Sequence, residues 1–252
     1  MNGDQLLSAL DLPESSRVDQ RVPKKLLLEN GAPTAADKRL INDGVEELLW
    51  HAALKPTTIG VPEYRDDVRE YLEIAILRLT PRPMAKLVRL TELVHRAIPY
   101  PLVLLTDQDA RPGLSVAHKR WSQGEAGKTV VDGDIVAADW DELRDGARWP
   151  AFRDALALGQ QPHSSLHALY QGWMDTLIAL QAARATGAFS VAGDAAVAAG
   201  RRAALQECTR LDAEITRLRA AASKEKQLAR QVELNQELKR IEAAKAAARD
   251  RL

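Results

Sequence analysis

The sequence predicts an α+β protein: a small mixed β-sheet core flanked by helices, with a long C-terminal helical, coiled-coil-like appendage. Three observations predict it. Residues 102–105 are a short, wholly apolar run, as a buried central strand requires. Stretches with apolar residues at helical spacing lie on both sides of it. From Arg201 onward the composition shifts to Ala, Arg, Glu, Lys, Leu and Gln, without Pro, Gly or aromatics, which suits a long exposed helix.

In order along the chain, residues 4–10 and 22–29 read as two short helices. Thr34 then caps a stronger helix and Asp37 favours its first-turn dipole. Leu40, Ile41, Val45, Leu48, Leu49 and Ala52 recur at helical spacing, and Lys55-Pro56 ends the helix. This makes residues 1–60 an N-terminal helical arm. At Tyr71 the period changes: Leu72, Ile74, Ile76 and Arg78 alternate with Glu73, Ala75 and Leu77, which favours a strand. Pro83 is placed to open the next helix, striped by Leu87, Leu90, Leu93 and Val94, and Pro99-Tyr100-Pro101 stops it. After the apolar strand comes a turn over 107–113, a returning strand over 114–119 and another over 134–138. Residues 61–148 therefore form the sheet core.

Everything beyond Trp149 reads helical, with Ser164 or Ser165 capping a helix through Leu166, Leu169, Trp173, Leu177 and Leu180. Residues 149–200 become a helical cover, closed by a Gly- and Ala-rich hinge from Gly187 through Gly193 to Gly200. Residues 201–252 are the appendage. Cys208, Leu211, Ile215, Leu218 and Ala222 keep a 3-4 spacing, and Leu234, Leu238 and Ile241 resume it in another phase. The slip falls in Lys224-Glu225-Lys226-Gln227, so the helix either kinks or breaks into two antiparallel arms.

Composition sets bounds on function. The 252 residues are 46% hydrophobic, enough to bury a core and exclude disorder for most of the chain. Lys plus Arg and Asp plus Glu number 35 each, so a globally basic nucleic-acid binder is not indicated. The balance hides an asymmetry, since residues 201–252 carry 13 basic and 8 acidic side chains. Any duplex contact is then expected from a local patch such as Arg201, Arg202, Arg210, Arg217 and Arg219, weakly and with strong salt dependence. The one cysteine, Cys208, excludes an internal disulfide framework and a multi-Cys zinc site. The N-terminus lacks the basic and apolar regions of a signal peptide, and no apolar run is long enough to span a membrane. A cytoplasmic protein is the expectation.

Four motifs bear on chemistry. Ser122-Gln123-Gly124-Glu125-Ala126-Gly127-Lys128-Thr129 resembles half of a phosphate-cradling loop. Ser122 stands where the first glycine belongs, and Val130-Val131-Asp132-Gly133 reads as turn and strand rather than the helix such a loop needs. His163 and His167 are four apart, as a two-histidine metal site on one helix face requires, but no carboxylate stands at ligand spacing. Cys208 occupies an apolar seam position and reads as a small buried hydrophobe. The sharpest cluster is Glu73 with His118 and Lys119. On a strand His118 and Arg120 share one face and Lys119 takes the other. A carboxylate and a lysine on adjacent strands fit a metal-dependent nuclease core, although Ala117 replaces the acid expected two residues before the lysine. The favoured reading is structural: Glu73 pairs with a buried Lys119, because an unpaired buried cation costs several kcal/mol.

Several strings resemble domain-of-unknown-function family 4391: Asp37-Lys38, Glu47 to Trp50, Leu54-Lys55-Pro56 with Ile59, His95-Arg96-Ala97-Ile98-Pro99-Tyr100-Pro101, Ser115-Val116-Ala117-His118-Lys119-Arg120 and Val232-Glu233-Leu234-Asn235. The resemblance spans nearly the whole chain. It implies a small bacterial protein encoded beside a superfamily-two helicase and an adenine DNA methyltransferase in restriction or phage-defence islands. It supplies no catalytic residue. The expected function is a non-enzymatic accessory subunit that binds the helicase or methyltransferase through Leu211, Ile215, Leu218, Leu234, Leu238 and Ile241. Self-association through the C-terminal helix is a further expectation, and no cofactor or metal is expected. The alternative is a cryptic metal-dependent nuclease or nucleotide-binding enzyme using Glu73, His118 and Lys119.

Overall fold

The computed structural model describes residues 2–139, 146 and 148–252. The expected sheet core, 61–148, therefore runs in part outside the described residues. Two compact units divide the chain, Met1–Leu177 and Ile178–Leu252.

The first unit contains strands β1 (Arg17–Arg21), β2 (Val45–Leu54), β3 (Tyr64–Arg65), β4 (Glu70–Tyr71), β5 (Ile74–Pro81), β6 (Leu102–Gln108), β7 (Arg111–Trp121) and β8 (Thr129–Ala138). Six of them form one sheet in the order β1-β2-β5-β6-β7-β8, and β3 and β4 form a separate ribbon. Within the large sheet β5 and β6 run parallel and the other neighbours antiparallel. Helices α1 (Gly3–Ala9), α2 (Lys24–Asn30), α3 (Ala35–Gly44), α4 (Pro56–Ile59), α5 (Leu87–Ala97), α6 (Trp149–Leu156) and the first part of α7 (Leu166–Thr186) surround it.

The two middle strands explain the architecture. β5 and β6 are apolar on both pleats, and Ile74, Ala75, Ile76, Leu77, Leu102, Val103 and Leu104 are all fully buried. Such strands need cover on both faces. On one face Ala75, Leu77, Leu79, Leu102 and Leu104 join Leu90, Leu93 and Val94 of α5, with Leu27 and Ile41 of α2 and α3, in one core. α5 is the crossover between the parallel strands, and its apolar stripe faces them. On the other face α7 brings Tyr170 against β6 and β7. The β6–β7 hairpin turns at Asp109 and Ala110, whose φ angles of 53° and 60° are both left-handed.

The N-terminal arm is not helical throughout, which corrects the sequence expectation for 1–60. β1 and β2 belong to the main sheet, and α3 stops at Gly44 instead of running to Ala52. The apolar set at 45, 48, 49 and 52 is spaced for a helix face, and the strand accommodates it through register shifts between Val45 and Glu47 and between Trp50 and Ala52. Long-range pairing decides it: Val45 follows Gly44 with extended backbone, and residues 45–54 are bonded to β5 on one side and β1 on the other. Pro83 likewise does not open α5. Met84 adopts φ 62° after it, and the helix starts at Leu87. Ser165 caps the start of α7, its hydroxyl accepting from the Ala168 amide at 3.2 Å.

The second unit contains α8 (Ala195–Lys224) and α9 (Leu228–Arg249). α8 is capped by Asp194, which accepts from the Val197 amide at 2.8 Å. It begins before Arg201, so Gly200 lies inside it and not at the end of a hinge. The slip at 224–227 is a break and not a kink: Glu225 is extended, and α9 returns antiparallel to α8. Ion pairs Arg219–Glu242 (2.8 Å) and Asp212–Lys245 (2.6 Å) cross the pair, and Arg201 Nε donates to the Leu252 carbonyl at its open end. That register sets Leu218 level with Leu238 and Ile215 level with Ile241. Leu211, Ile215, Leu218 and Ala222 are buried, and Leu234, Leu238 and Ile241 half-buried.

Candidate functional site

The polar residues that a buried sheet has to accommodate gather at the 117–121 end of β7. Strand alternation sends Lys119 toward α5 and His118 toward α7, as the sequence predicts. The partners are different from those expected. Lys119, 1% exposed, points its ammonium at the end of α5 and donates to the carbonyls of His95 and of Ile98, the latter at 2.8 Å. A cation at a helix C-terminus satisfies carbonyls that have no partner within the helix and meets the negative end of its dipole. Glu73 lies instead at 2.9 Å from Lys55 Nζ, so Glu73 and Lys119 do not pair. They stand on opposite sides of β6, and pattern alone cannot count the strand between them.

Beside the ammonium lies His95, fully buried, with Nε2 at 2.9 Å from Ser115 Oγ. Its Nδ1 has no hydrogen-bond partner among the described residues. Burial, reinforced by the nearby Lys119 charge, pushes the imidazole down to about 3, so it is neutral. Burial likewise lowers the Lys119 amine to about 8.

On the opposite face His118 sits in a hydrogen-bonded chain. Gln171 Nε2 donates to Asp175 at 2.8 Å, which turns its Oε1 toward His118 Nε2, also at 2.8 Å. Nε2 must therefore carry the proton, and Nδ1 accepts from the Tyr71 hydroxyl. Burial holds the Tyr71 phenol protonated by pushing its pKa above the usual range. The His118 ring stacks on His167 at 5.1 Å, and His167 stacks on Tyr64 at 4.8 Å. Arg69 closes the edge, donating to Asp132 at 3.1 Å, with Arg120 Nε 3.4 Å from the other carboxylate oxygen. Burial and the Arg69 charge lower the His167 pKa, keeping it neutral as well.

The remaining candidates separate. His163 precedes α7 and reaches the Leu158 carbonyl, while His167 is the second residue of that helix, so they share no helix face. Among the described residues no group of three or more His, Cys, Asp and Glu side chains is placed to hold a metal. Gly127 turns the β7–β8 loop at φ 74°, Lys128 pairs with Glu125, and Thr129 opens β8 with its hydroxyl on the Pro99 carbonyl at 2.7 Å. No helix follows to cradle phosphate. Cys208 is half-buried in α8. Of the hairpin arginines, Arg210 pairs with Glu207 and Glu214, Arg217 with Glu214 and Arg219 with Glu242. Arg201 bonds the Ser190 and Leu252 carbonyls, and Arg202 is half-buried.

Sequence reasoning did not find Tyr71, Tyr170, Arg69 and Gln171. The signal was present in the two tyrosines, since a Tyr inside an apolar pattern brings a hydroxyl that must be satisfied when buried.

The fold and these clusters define an α+β protein whose mixed sheet is pinned to its covering helices by buried polar contacts, with a helical hairpin as a second unit. The chain belongs to the family described as Domain of unknown function (DUF4391), whose model matches residues 10–244. No curated protein and no solved structure matches it. No helix among the described residues is long and apolar enough to cross a membrane.

Proposed function

We propose that the chain is a non-enzymatic accessory subunit of a restriction or phage-defence system, working in the cytoplasm, which assembles with a helicase or DNA methyltransferase partner. The observation that carries this reading is the Lys119 ammonium. It is spent on two backbone carbonyls at the end of α5, and Glu73 is held by Lys55, so the carboxylate and lysine of a nuclease core do not converge.

The partner surface follows from the hairpin. Leu211, Ile215 and Leu218 are buried between helices, so a partner meets the outer face instead, where Leu228 is 75% and Val232 47% exposed. These two lie one turn apart at the start of α9. Co-purification of the untagged operon products tests the reading. The wild-type chain is expected to retain the helicase or methyltransferase, and the exposed-site changes Leu228→Asp and Val232→Asp to release it without changing the melting temperature. Retention by both variants, or self-association as the sole interaction lost, overturns it.

A further inference from the structure

In the first unit, exposed charge and exposed apolar surface meet at the segment joining β5 to α5. Met84 is 93% exposed and Val88 79%. Met84 also holds a left-handed φ of 62°, a conformation that costs a residue with a β-carbon. The segment is fixed on its inner side: the Arg82 amide donates to the Gly44 carbonyl at 2.8 Å, and Gln108 Nε2 to the Ala85 carbonyl at 3.1 Å. Its tip is therefore held out in solvent.

Cations surround it. Arg82 and Lys86 are exposed and form no ion pair among the described residues. Lys24 donates only to the Asn42 carbonyl, at the same end of α3 that receives Arg82. Arg21 forms a long, solvent-exposed ion pair with Glu47 at 3.8 Å. Burial lowers the Lys24 pKa, and the nearby charges of Arg82 and Arg21 lower it further against the opposing carboxylate of Asp43, so the three cations lie within electrostatic reach of one another. Residues 1–200 as a whole carry five more acidic than basic side chains, which makes this patch an exception to its surroundings.

We infer that Arg21, Lys24, Arg82 and Lys86, with Met84 and Val88 between them, form a contact surface for the phosphate backbone of nucleic acid. The apolar part is too small for a stable protein interface, which buries about 800 Å² per partner around an apolar core. The cations suit sequence-independent phosphate contact, with binding that falls steeply as salt rises. This surface belongs to the sheet unit, whereas Arg210, Arg217 and Arg219 of the hairpin are already paired with carboxylates.

Fluorescence anisotropy of the full-length chain with a short labelled DNA duplex tests it, at about 50 mM and about 200 mM salt. Binding is expected at the lower salt and negligible at the higher. The double variant Arg82→Ala/Lys86→Ala is expected to weaken low-salt binding at least about tenfold and to reduce the salt slope by about two. Its melting temperature and its co-purified partner should be unchanged, because both side chains are exposed and lie outside the hairpin. Arg210→Ala/Arg219→Ala should bind DNA like wild type. No low-salt binding, or equal loss in the two double variants, overturns the inference.

Discussion

Lys119 and Ile98 are joined by a 2.8 Å hydrogen bond from the ammonium on β7 to the carbonyl just beyond the last turn of α5. With the His95 carbonyl as second acceptor, this bond ties the crossover helix to a strand that is not sequentially adjacent to it. The crossover is thereby fixed at its C-terminal end, where Pro99-Tyr100-Pro101 leads back into β6.

Glu73 and Lys119 should be energetically independent. They share no partner, and two strand spacings of about 4.8 Å separate β5 from β7. The double variant Glu73→Gln/Lys119→Met is expected to lose the sum of the single losses within about 0.5 kcal/mol, measured by urea unfolding. Lys55→Met with Glu73→Gln should instead show coupling, kept to about 1 kcal/mol or less by the half-exposed lysine. Strong coupling between positions 73 and 119 would contradict this geometry.

The buried imidazole and amine give the fold two pH windows. His95 has an ordinary value of 6.5 and titrates near 3 in the fold. Between those values the unfolded chain holds a proton that the folded chain refuses, so stability falls as acid is added and recovers as pH rises. His95→Asn should flatten that acid limb in thermal melts. Lys119 moves from an ordinary 10.5 to about 8. Its charge penalty is fully present below pH 8 and is relieved as pH climbs from 8 toward 10.5, where the unfolded chain again binds more protons. Lys119→Met leaves two carbonyls without their donor, a loss of about 1–3 kcal/mol partly offset near neutrality by removal of the penalty. The deficit of that variant should therefore grow from pH 7 to pH 10, and a deficit that shrinks would refute this account.

The hairpin should be separable. A chain ending at Thr186, where α7 stops, is expected to melt cooperatively and keep the near-ultraviolet signal of its buried Trp173. A deletion after Gly200, in the second turn of α8, leaves a helical stub with no return arm. In the full chain Leu218→Asp puts a charge in the seam and should cost about 3 kcal/mol or more of hairpin stability, seen as lost helical circular dichroism. An unfolded Thr186 truncation would show that the sheet unit depends on the second unit.

The α+β class, α5, the central β6 and the helical character of the C-terminal segment are legible in the sequence from proline pairs and periodicity, whereas the phase slip at 224–227 leaves a kink and a break both open. β2 is not, since Val45, Leu48, Leu49 and Ala52 carry helical spacing and the strand they form is irregular, with two register shifts set by its pairing with β5. The site is legible to the level of faces: alternation separates His118 from Lys119. It is not legible to the level of partners, because the acceptors of Lys119 are backbone atoms of a helix end and carry no residue signature. Tyr71, Arg69 and His167 meet His118 only through the β3–β4 ribbon and α7, contacts that no short-range pattern encodes.

Tyr170 offers the sharpest test of how the second face is held. Its hydroxyl accepts from the Ala117 amide at 2.8 Å and donates to the Leu102 carbonyl at 2.7 Å, from a ring that is fully buried. Ala117 sits where the pairing of β7 with β8 shifts register between Val116 and His118. A strand that shifts its register needs partners for the backbone at that point, and the phenol, from α7, bonds the Ala117 amide. Tyr170→Phe keeps the ring packing and removes only the oxygen. The amide and the carbonyl then each lose a buried hydrogen bond, which should cost about 1–3 kcal/mol. Amide hydrogen exchange gives the decisive readout: exchange at Ala117 should accelerate well beyond that of Leu104, deep in β6, whereas Tyr71→Phe should spare Ala117 and loosen His118. Unchanged protection at Ala117 in Tyr170→Phe would mean that the β6–β7 backbone holds itself without the helix.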